Sequence, residues 1–182
     1  GRIVAVGADL GPAARRIDAA GCLVLPGIVD LHGDAYERQV TPRAGVDFPL
    51  DLAIAGNDAA LFAHGITTFF YAVTDGFETG LRSRAQARAV CAHLRAQRAS
   101  LRCDSFIHLR HEQAASDGHD ELLAWIAAGA IDLLSLNDHV PDLDDPRATE
   151  RYLRGMRRRV AMDDARARAF VAGLGRRHAA GA

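Results

Sequence analysis

The chain has 182 residues and a formal net charge of -1, and 25% of its residues are charged, which is an ordinary composition for a globular protein. The charge balance excludes a nucleic-acid-binding protein, because no basic excess is present to neutralise a phosphate backbone. No window holds the roughly 18 consecutive apolar residues of a membrane span, so a membrane protein is excluded as well. Three cysteines without metal-ligand spacing, and an N-terminus without a signal-peptide pattern, predict a reduced, cytoplasmic protein.

The first 24 residues predict two short strands around a turn, because "RIVAVG" alternates and "DLGP" is a turn sequence. After them, apolar runs that predict strands alternate with amphipathic segments that predict helices. The strands are expected at residues 28–31, 66–73, 103–109 and 131–136. The buried helix faces are expected to comprise four sets of residues: Leu52, Ala55, Ala59 and Phe62; Ala87, Val90, Cys91 and Leu94; Leu122, Leu123 and Ile126; and Ala167, Phe170, Val171 and Leu174.

Four strand–helix units in series indicate a parallel sheet, because each helix returns the chain to the edge at which the preceding strand began. This α/β pattern fits an open doubly wound sheet or part of a (β/α)8 barrel. A full barrel needs about 250 residues. Because this sequence provides four units, we expect the N-terminal half of a barrel from a longer protein.

The segment "LVLPGIVDLHGD" places His32 and Asp34 at the carboxyl end of the first strand. Their spacing of two residues puts both side chains on one face, at the end of the sheet where α/β folds bind ligands. An imidazole nitrogen and a carboxylate oxygen in this arrangement can clamp a metal ion. The alternative is structural, with Asp34 capping a loop and His32 packing nearby.

The third strand, in "CDSFIHLRHE", places His108, Arg110 and Glu112 on one face at the same end of the sheet. Buried charges need partners or a metal ion. One interpretation is therefore a structural ion pair between Arg110 and Glu112. The other makes Glu112 a metal ligand, with Arg110 and His108 as substrate contacts.

The fourth strand ends in "LLSLNDHVP", where Asn137 and His139 share a face and Asp138 lies opposite. All three are candidate substrate contacts, and His139 fits a metal ligand or a loop residue equally well. Arg82 is a candidate contact for an anion at a helix start, although a solvated turn is the simpler interpretation. The arginine run at residues 154–159 is interpreted as a solvated basic patch, with anion binding as the alternative.

The "GRIVAVG" lead and the first-strand motif in "LVLPGIVDLH" resemble the amidohydrolase superfamily. Asp34, standing where a second histidine is usual, together with motifs such as "HGITT", "GLRS", "HLRHE" and "LSLNDH", makes the chain similar to a branch of phosphonate-operon enzymes. The resemblance implies a (β/α)8 barrel, with residues 25–182 as its first four units, and a small flanking β-sandwich that includes residues 1–24. It also implies a divalent metal, zinc first and manganese or iron as alternatives, held by His32, Asp34 and Glu112.

Glu112 takes the bridging position in this comparison because the sequence contains no lysine to carry a carbamate. The implied reaction is hydrolysis of a phosphoanhydride in a small phosphorylated substrate, with release of pyrophosphate, in phosphonate catabolism. No catalytic residue is assigned, because the superfamily's general base comes from a later strand.

Two rival functions are kept. The first is hydrolysis of a cyclic amide or N-acetyl group by the same kind of site. The second is an inactive half-barrel that serves as a scaffold. The open edges of a half-barrel would favour association into a homo-oligomer.

Overall fold

The computed structural model describes residues 2–181, with side chains as far as residue 177. Gly1 and Ala182, the outermost residues of the two predicted domains, lie outside the described residues. Strands and helices alternate along the chain in the following order: β1 (Ile28–Gly33), α1 (Glu37–Val40), α2 (Leu50–Ala63), β2 (Ile66–Asp75), α3 (Arg84–Gln97), β3 (Asp104–Glu112), α4 (His119–Ala127), β4 (Leu133–Asn137), α5 (Pro146–Arg157) and α6 (Asp164–Gly181).

The four strands form one parallel sheet in the order β1-β2-β3-β4, which confirms the predicted strand–helix alternation. The sheet is curled. One contact shows this: the Nδ1 atom of His108 on β3 lies 3.0 Å from the carbonyl oxygen of Leu31 on β1, across the intervening β2. We call the side that carries this contact the concave face. Four parallel strands in a curled sheet with alternating helices constitute a partial TIM-like α/β fold.

The main hydrophobic core lies between the opposite, convex face and the helices. The face predicted for α3 is confirmed, since all four of its residues are buried: Ala87, Val90, Cys91 and Leu94. Phe69, Ile107 and Leu109 supply the strand side of this core. Side chains therefore alternate along each strand between the core and the concave face.

The face predicted for α2 is wrong. Leu52 and Phe62 are 62% and 52% exposed, and the helix instead buries a face that includes Asn57 and Asp58. The Asp58 carboxylate accepts hydrogen bonds from the backbone N–H groups of Arg102 and Cys103, at distances of 2.9–3.1 Å. This carboxylate satisfies the backbone in front of β3, and Ala53, Ile54 and Leu61 on the same face of the helix pack in the core.

The prediction for α4 is also partly wrong. Leu122 is buried, but Leu123 and Ile126 are 62% and 45% exposed. The residue that joins Leu122 against the core is Trp125, one helical turn further along. The inward face of this short helix is therefore narrower than its apolar composition suggests.

The N-terminal segment differs from the sequence prediction. Residues 2–27 contain no strand, and nearly every side chain in them is exposed. Two isolated strands are marginal in water unless a third strand or a helix covers them. The assignment of residues 1–24 to a β-sandwich therefore stays a prediction.

Helices α5 and α6 form a second, smaller core of their own, built around Leu153, Met156 and Ala167. Phe170 of α6 stacks against Tyr152 of α5 at a ring distance of 6.2 Å and also approaches Phe77, which follows β2, at 6.3 Å. On the inward face predicted for α6, Ala167 and Leu174 are buried and Phe170 and Val171 are half-buried, and three of these residues, Ala167, Phe170 and Val171, pack with α5. Within the described residues, no helix combines the length and apolarity needed to cross a membrane.

Candidate functional site

Polar side chains collect where the strands end, as the sequence predicts. Arg110 of β3 is paired in register with Thr74 of β2 and with Ser135 of β4, and Glu112 is paired with Asn137. Paired residues of neighbouring parallel strands project to the same side of a sheet. These polar residues therefore share the concave face near the carboxyl ends of the strands.

His108, predicted as a substrate contact, is buried and uses both of its ring nitrogens within the protein. Nδ1 donates to the Leu31 carbonyl at 3.0 Å, so Nε2 accepts from the Ser135 hydroxyl at 3.1 Å. Burial lowers the pKa of His108 below its ordinary 6.5, which keeps the ring neutral. Its ring meets the edge of His32 at a centroid distance of 5.0 Å. His108 thus ties β1, β3 and β4 together across the curl.

Glu112 and His139 form a close pair at the ends of β3 and β4. The Glu112 carboxylate is almost fully buried and accepts from the Nδ1 atom of His139 at 2.6 Å and from its backbone N–H at 3.2 Å. The His139 side chain is 53% exposed. Glu112 therefore orients an imidazole whose remaining nitrogen, Nε2, is left for a ligand.

Two predicted arginine contacts differ in their surroundings. Arg82 donates to the Glu37 carboxylate through Nε at 3.0 Å and Nη2 at 2.7 Å. Burial disfavours its charge, but this carboxylate raises the pKa of Arg82 overall, so the guanidinium stays protonated. Arg110 makes no salt bridge within the described side chains, so the predicted ion pair with Glu112 is not observed; its Nη1 atom lies 3.5 Å from the Thr74 hydroxyl.

The remaining residues of the fourth-strand motif separate as the alternation predicts. The Nδ2 atom of Asn137 is buried and has no hydrogen-bond partner among the described residues. The Asp138 carboxylate accepts from the backbone N–H of Val140 at 3.2 Å, which is a local turn contact. Asn137 is therefore the better candidate for a ligand contact.

Two adjoining cavities lie at this end of the sheet, beneath α5. The small cavity has a volume of about 240 Å³, and the large cavity about 390 Å³. Glu112 and His139 line the small cavity, whereas Asp34 lines the large one. The two share three lining residues: Arg82, Gly155 and Arg159. We call the pair of cavities the strand-end cleft.

Arginines from α5 and from the turn after it form part of the cleft. Arg151 lines the small cavity, Arg158 the large one and Arg159 both. Arg158 is exposed, but Arg159 is half-buried, so the interpretation of residues 154–159 as a solvated basic patch is wrong for Arg159. Arg159 donates to the Glu78 carboxylate at 2.9 Å, and the Tyr152 hydroxyl donates to the same group at 2.9 Å. The only sequence signal is the position of this helix directly after β4, where barrel folds place ligand-binding loops.

A second polar cluster was also missed, on the convex side of the same strand ends. One oxygen of the fully buried Asp75 accepts from the Nδ1 atom of His111 and from Nη2 of Arg84, both at 2.7 Å. Asp75 and His111 are paired in register, and they directly precede the cleft residues Gly76 and Glu112. The cluster therefore holds the carboxyl ends of β2 and β3 together on the convex side of the sheet.

The three predicted metal ligands occupy separate surroundings. His32 packs against His108, Asp34 lines the large cavity, and Glu112 is hydrogen-bonded to His139. Among the residues that the structure describes, no group of three or more His, Cys, Asp or Glu side chains is arranged to hold a metal ion. Metal binding by these residues stays a prediction.

The fold and the cleft together define the class: a partial TIM-like α/β chain with an arginine-rich cavity at the carboxyl ends of its strands. The chain is similar to the α-D-ribose 1-methylphosphonate 5-triphosphate diphosphatase of Escherichia coli (strain K12), with 29% identity over 152 residues. The matched region is 82% of this chain and 40% of that protein, so the chain spans about two fifths of its relative's length. No family model and no solved structure matches the chain.

Proposed function

We propose that the strand-end cleft binds the triphosphate group of α-D-ribose 1-methylphosphonate 5-triphosphate, and that the protein hydrolyses this group to release pyrophosphate. The observation that carries the proposal is the set of arginines that line the cleft: Arg38, Arg82, Arg151, Arg158 and Arg159. Guanidinium groups suit phosphate oxygens because each can donate two parallel hydrogen bonds. Similarity to the Escherichia coli diphosphatase supports the same substrate class.

The pairing of charges within the cleft favours an anionic ligand. Three of its acids already have partners: Glu37 with Arg82, Glu78 with Arg159, and Glu112 with His139. Arg38 and Arg158 make no salt bridge within the described side chains, and of the two acids that line the large cavity, Glu37 is already paired with Arg82, which leaves Asp34 to oppose them. A polyphosphate would supply the negative charge that these arginines lack.

In the proposed hydrolysis, the arginines of the cleft and His139 have different roles. The arginines bind the phosphoryl oxygens and offset the charge that develops on the departing pyrophosphate. His139, held through Nδ1 by Glu112, presents Nε2 for proton exchange with water or with a phosphate oxygen. Water attacks the first phosphorus, the one attached to the sugar oxygen. The bond from that phosphorus to the oxygen that bridges it to the second phosphorus breaks, and pyrophosphate leaves with this bridging oxygen.

A divalent metal, zinc in the first instance, remains part of the proposal through the family resemblance. When bound, such an ion supplies an activated water. The described residues do not bring three ligands together, so no step is assigned to it here.

The test compares Arg158→Gln with Arg154→Gln, because Arg154, in the last turn of α5, belongs to the same basic run but lines neither cavity. Loss of one charge-assisted contact is expected to weaken binding of inorganic tripolyphosphate about tenfold in Arg158→Gln. Arg154→Gln should bind like the wild type in isothermal titration calorimetry. Pyrophosphate release from the sugar triphosphate is measured in parallel. Equal affinities of the two variants, or turnover of a cyclic amide instead of the triphosphate, would refute the proposal.

A further inference from the structure

Gly155 occupies an unusual position in α5. It stands inside a 12-residue helix, where glycine is about 1 kcal/mol less favourable than alanine. It also lines both cavities of the strand-end cleft. A Cβ atom added to Gly155 would meet no heavy atom within 4 Å, so packing against the protein does not require a glycine here.

The residues shared by the two cavities mark where they meet. Arg82 and Arg159 also line both, but each is held by an acidic partner, Glu37 and Glu78 respectively. Gly155 is the shared residue without a side chain. The space above its Cα atom is therefore open and belongs to the junction of the cavities.

We propose that Gly155 determines specificity for ligand length, because it keeps open a passage through which one extended polyphosphate occupies both cavities. This inference rests on the proposed function and adds to it the residue that makes the cleft favour linear polyphosphate groups over single phosphates. The small cavity, about 240 Å³, is below the roughly 300–1,000 Å³ of small-molecule pockets, and the large cavity, about 390 Å³, is near the lower end of that range. An extended chain gains contacts in both cavities, whereas orthophosphate gains contacts in one.

A side chain at position 155 would block the junction between the two cavities without destabilising the protein. Leucine is a good helix former, so Gly155→Leu should not lower the thermal midpoint of unfolding. Its side chain would fill the junction and confine a ligand to one cavity. Gly155→Ala, with a single added methyl group, should have a smaller effect in the same direction.

The experiment measures binding of inorganic tripolyphosphate, pyrophosphate and orthophosphate to the intact chain by isothermal titration calorimetry. The matched control is Gly173→Leu, because Gly173 also lies inside a helix but lines neither cavity. A Cβ atom at Gly173 would lie 3.8 Å from the Nη2 atom of Arg176, an ordinary contact distance.

The wild type and Gly173→Leu are expected to bind tripolyphosphate at least about tenfold more tightly than orthophosphate, and Gly155→Leu to lose that preference while keeping its orthophosphate affinity. If Gly155→Leu keeps the preference for tripolyphosphate, the role of Gly155 is refuted and the proposed function stands. If the wild type itself shows no preference for tripolyphosphate, both fail. If Gly155→Leu weakens all three ligands equally, the passage is also refuted, because a general disturbance of the cleft explains that result.

Discussion

Asp75→Ala tests whether the convex-side cluster holds the strand ends that carry the cleft. Asp75 has no solvent exposure, and one of its oxygens accepts from both His111 and Arg84 at 2.7 Å. Removing the carboxylate leaves a buried imidazole N–H without an acceptor. Among the described residues, it leaves Arg84 with the carbonyl of Gly118 and the partly exposed Glu121 as partners.

The expected cost follows from these contacts. Removing one partner from a buried charged network destabilises a protein by about 3–5 kcal/mol. For a chain of this length, each kcal/mol lowers the melting temperature by about 2–4 °C, so we expect a decrease of roughly 6–20 °C. Urea unfolding followed by circular dichroism gives the free energy of unfolding directly. Asp75→Asn, which keeps an acceptor for His111, should lose less.

The control is Asp164→Ala, which removes the acidic partner of Arg157 in a pair whose carboxylate is 78% exposed. Exposed pairs contribute about 0–1 kcal/mol. If Asp75→Ala destabilises the protein no more than this control does, the cluster does not hold the strand ends and the reasoning is wrong.

Two further predictions concern titratable groups away from the cleft. Burial raises the pKa of Cys91 to about 12 and of Cys103 to about 11, so iodoacetamide at about pH 8 should label only the exposed Cys22 of the three cysteines in the folded protein. In urea, all three cysteines should react. Fast labelling of all three in the folded protein would contradict the burial. The hydrogen bond from Arg88 lowers the pKa of Glu121 below its ordinary 4.5, so its contribution to stability is present above that pH and is lost as the pH falls through the lowered value. Glu121→Gln should therefore be less stable than the wild type at about pH 7, and the difference in unfolding free energy should narrow below pH 4.5; a difference that does not change with pH would contradict this.

Strand positions and strand faces were the features most readily predicted from the sequence. The four apolar runs lie within or next to the observed strands, because buried parallel strands are continuous apolar segments bounded by turns. Alternation along β3 correctly placed Arg110 and Glu112 on one face of the sheet near its carboxyl end, since side-chain direction in a strand follows from position alone. Local geometry was enough for these predictions.

Helix rotation and long-range pairing could not be predicted in the same way. The buried face of α2 includes Asp58, whose carboxylate satisfies backbone groups 44 and 45 residues further along the chain. The contact between Asp75 and His111 spans 36 residues and becomes visible only when the register of β2 and β3 is known. The alternation of apolar residues contains no information about either partner.

The arginines show why composition alone could not locate the cleft. Arg154 and Arg158 are equivalent in a basic run, yet of these two only Arg158 lines a cavity, and nothing in the run itself distinguishes them. Within the cleft, Arg82 and Arg159 are each paired with a carboxylate, Glu37 and Glu78 respectively, which fixes their position. Because their charge is already balanced, they gain less free energy from an added anion. An arginine that lines a cavity without such a partner gains most from an incoming phosphate. Ligand contacts in this cleft are therefore better identified by missing partners than by the number of arginines.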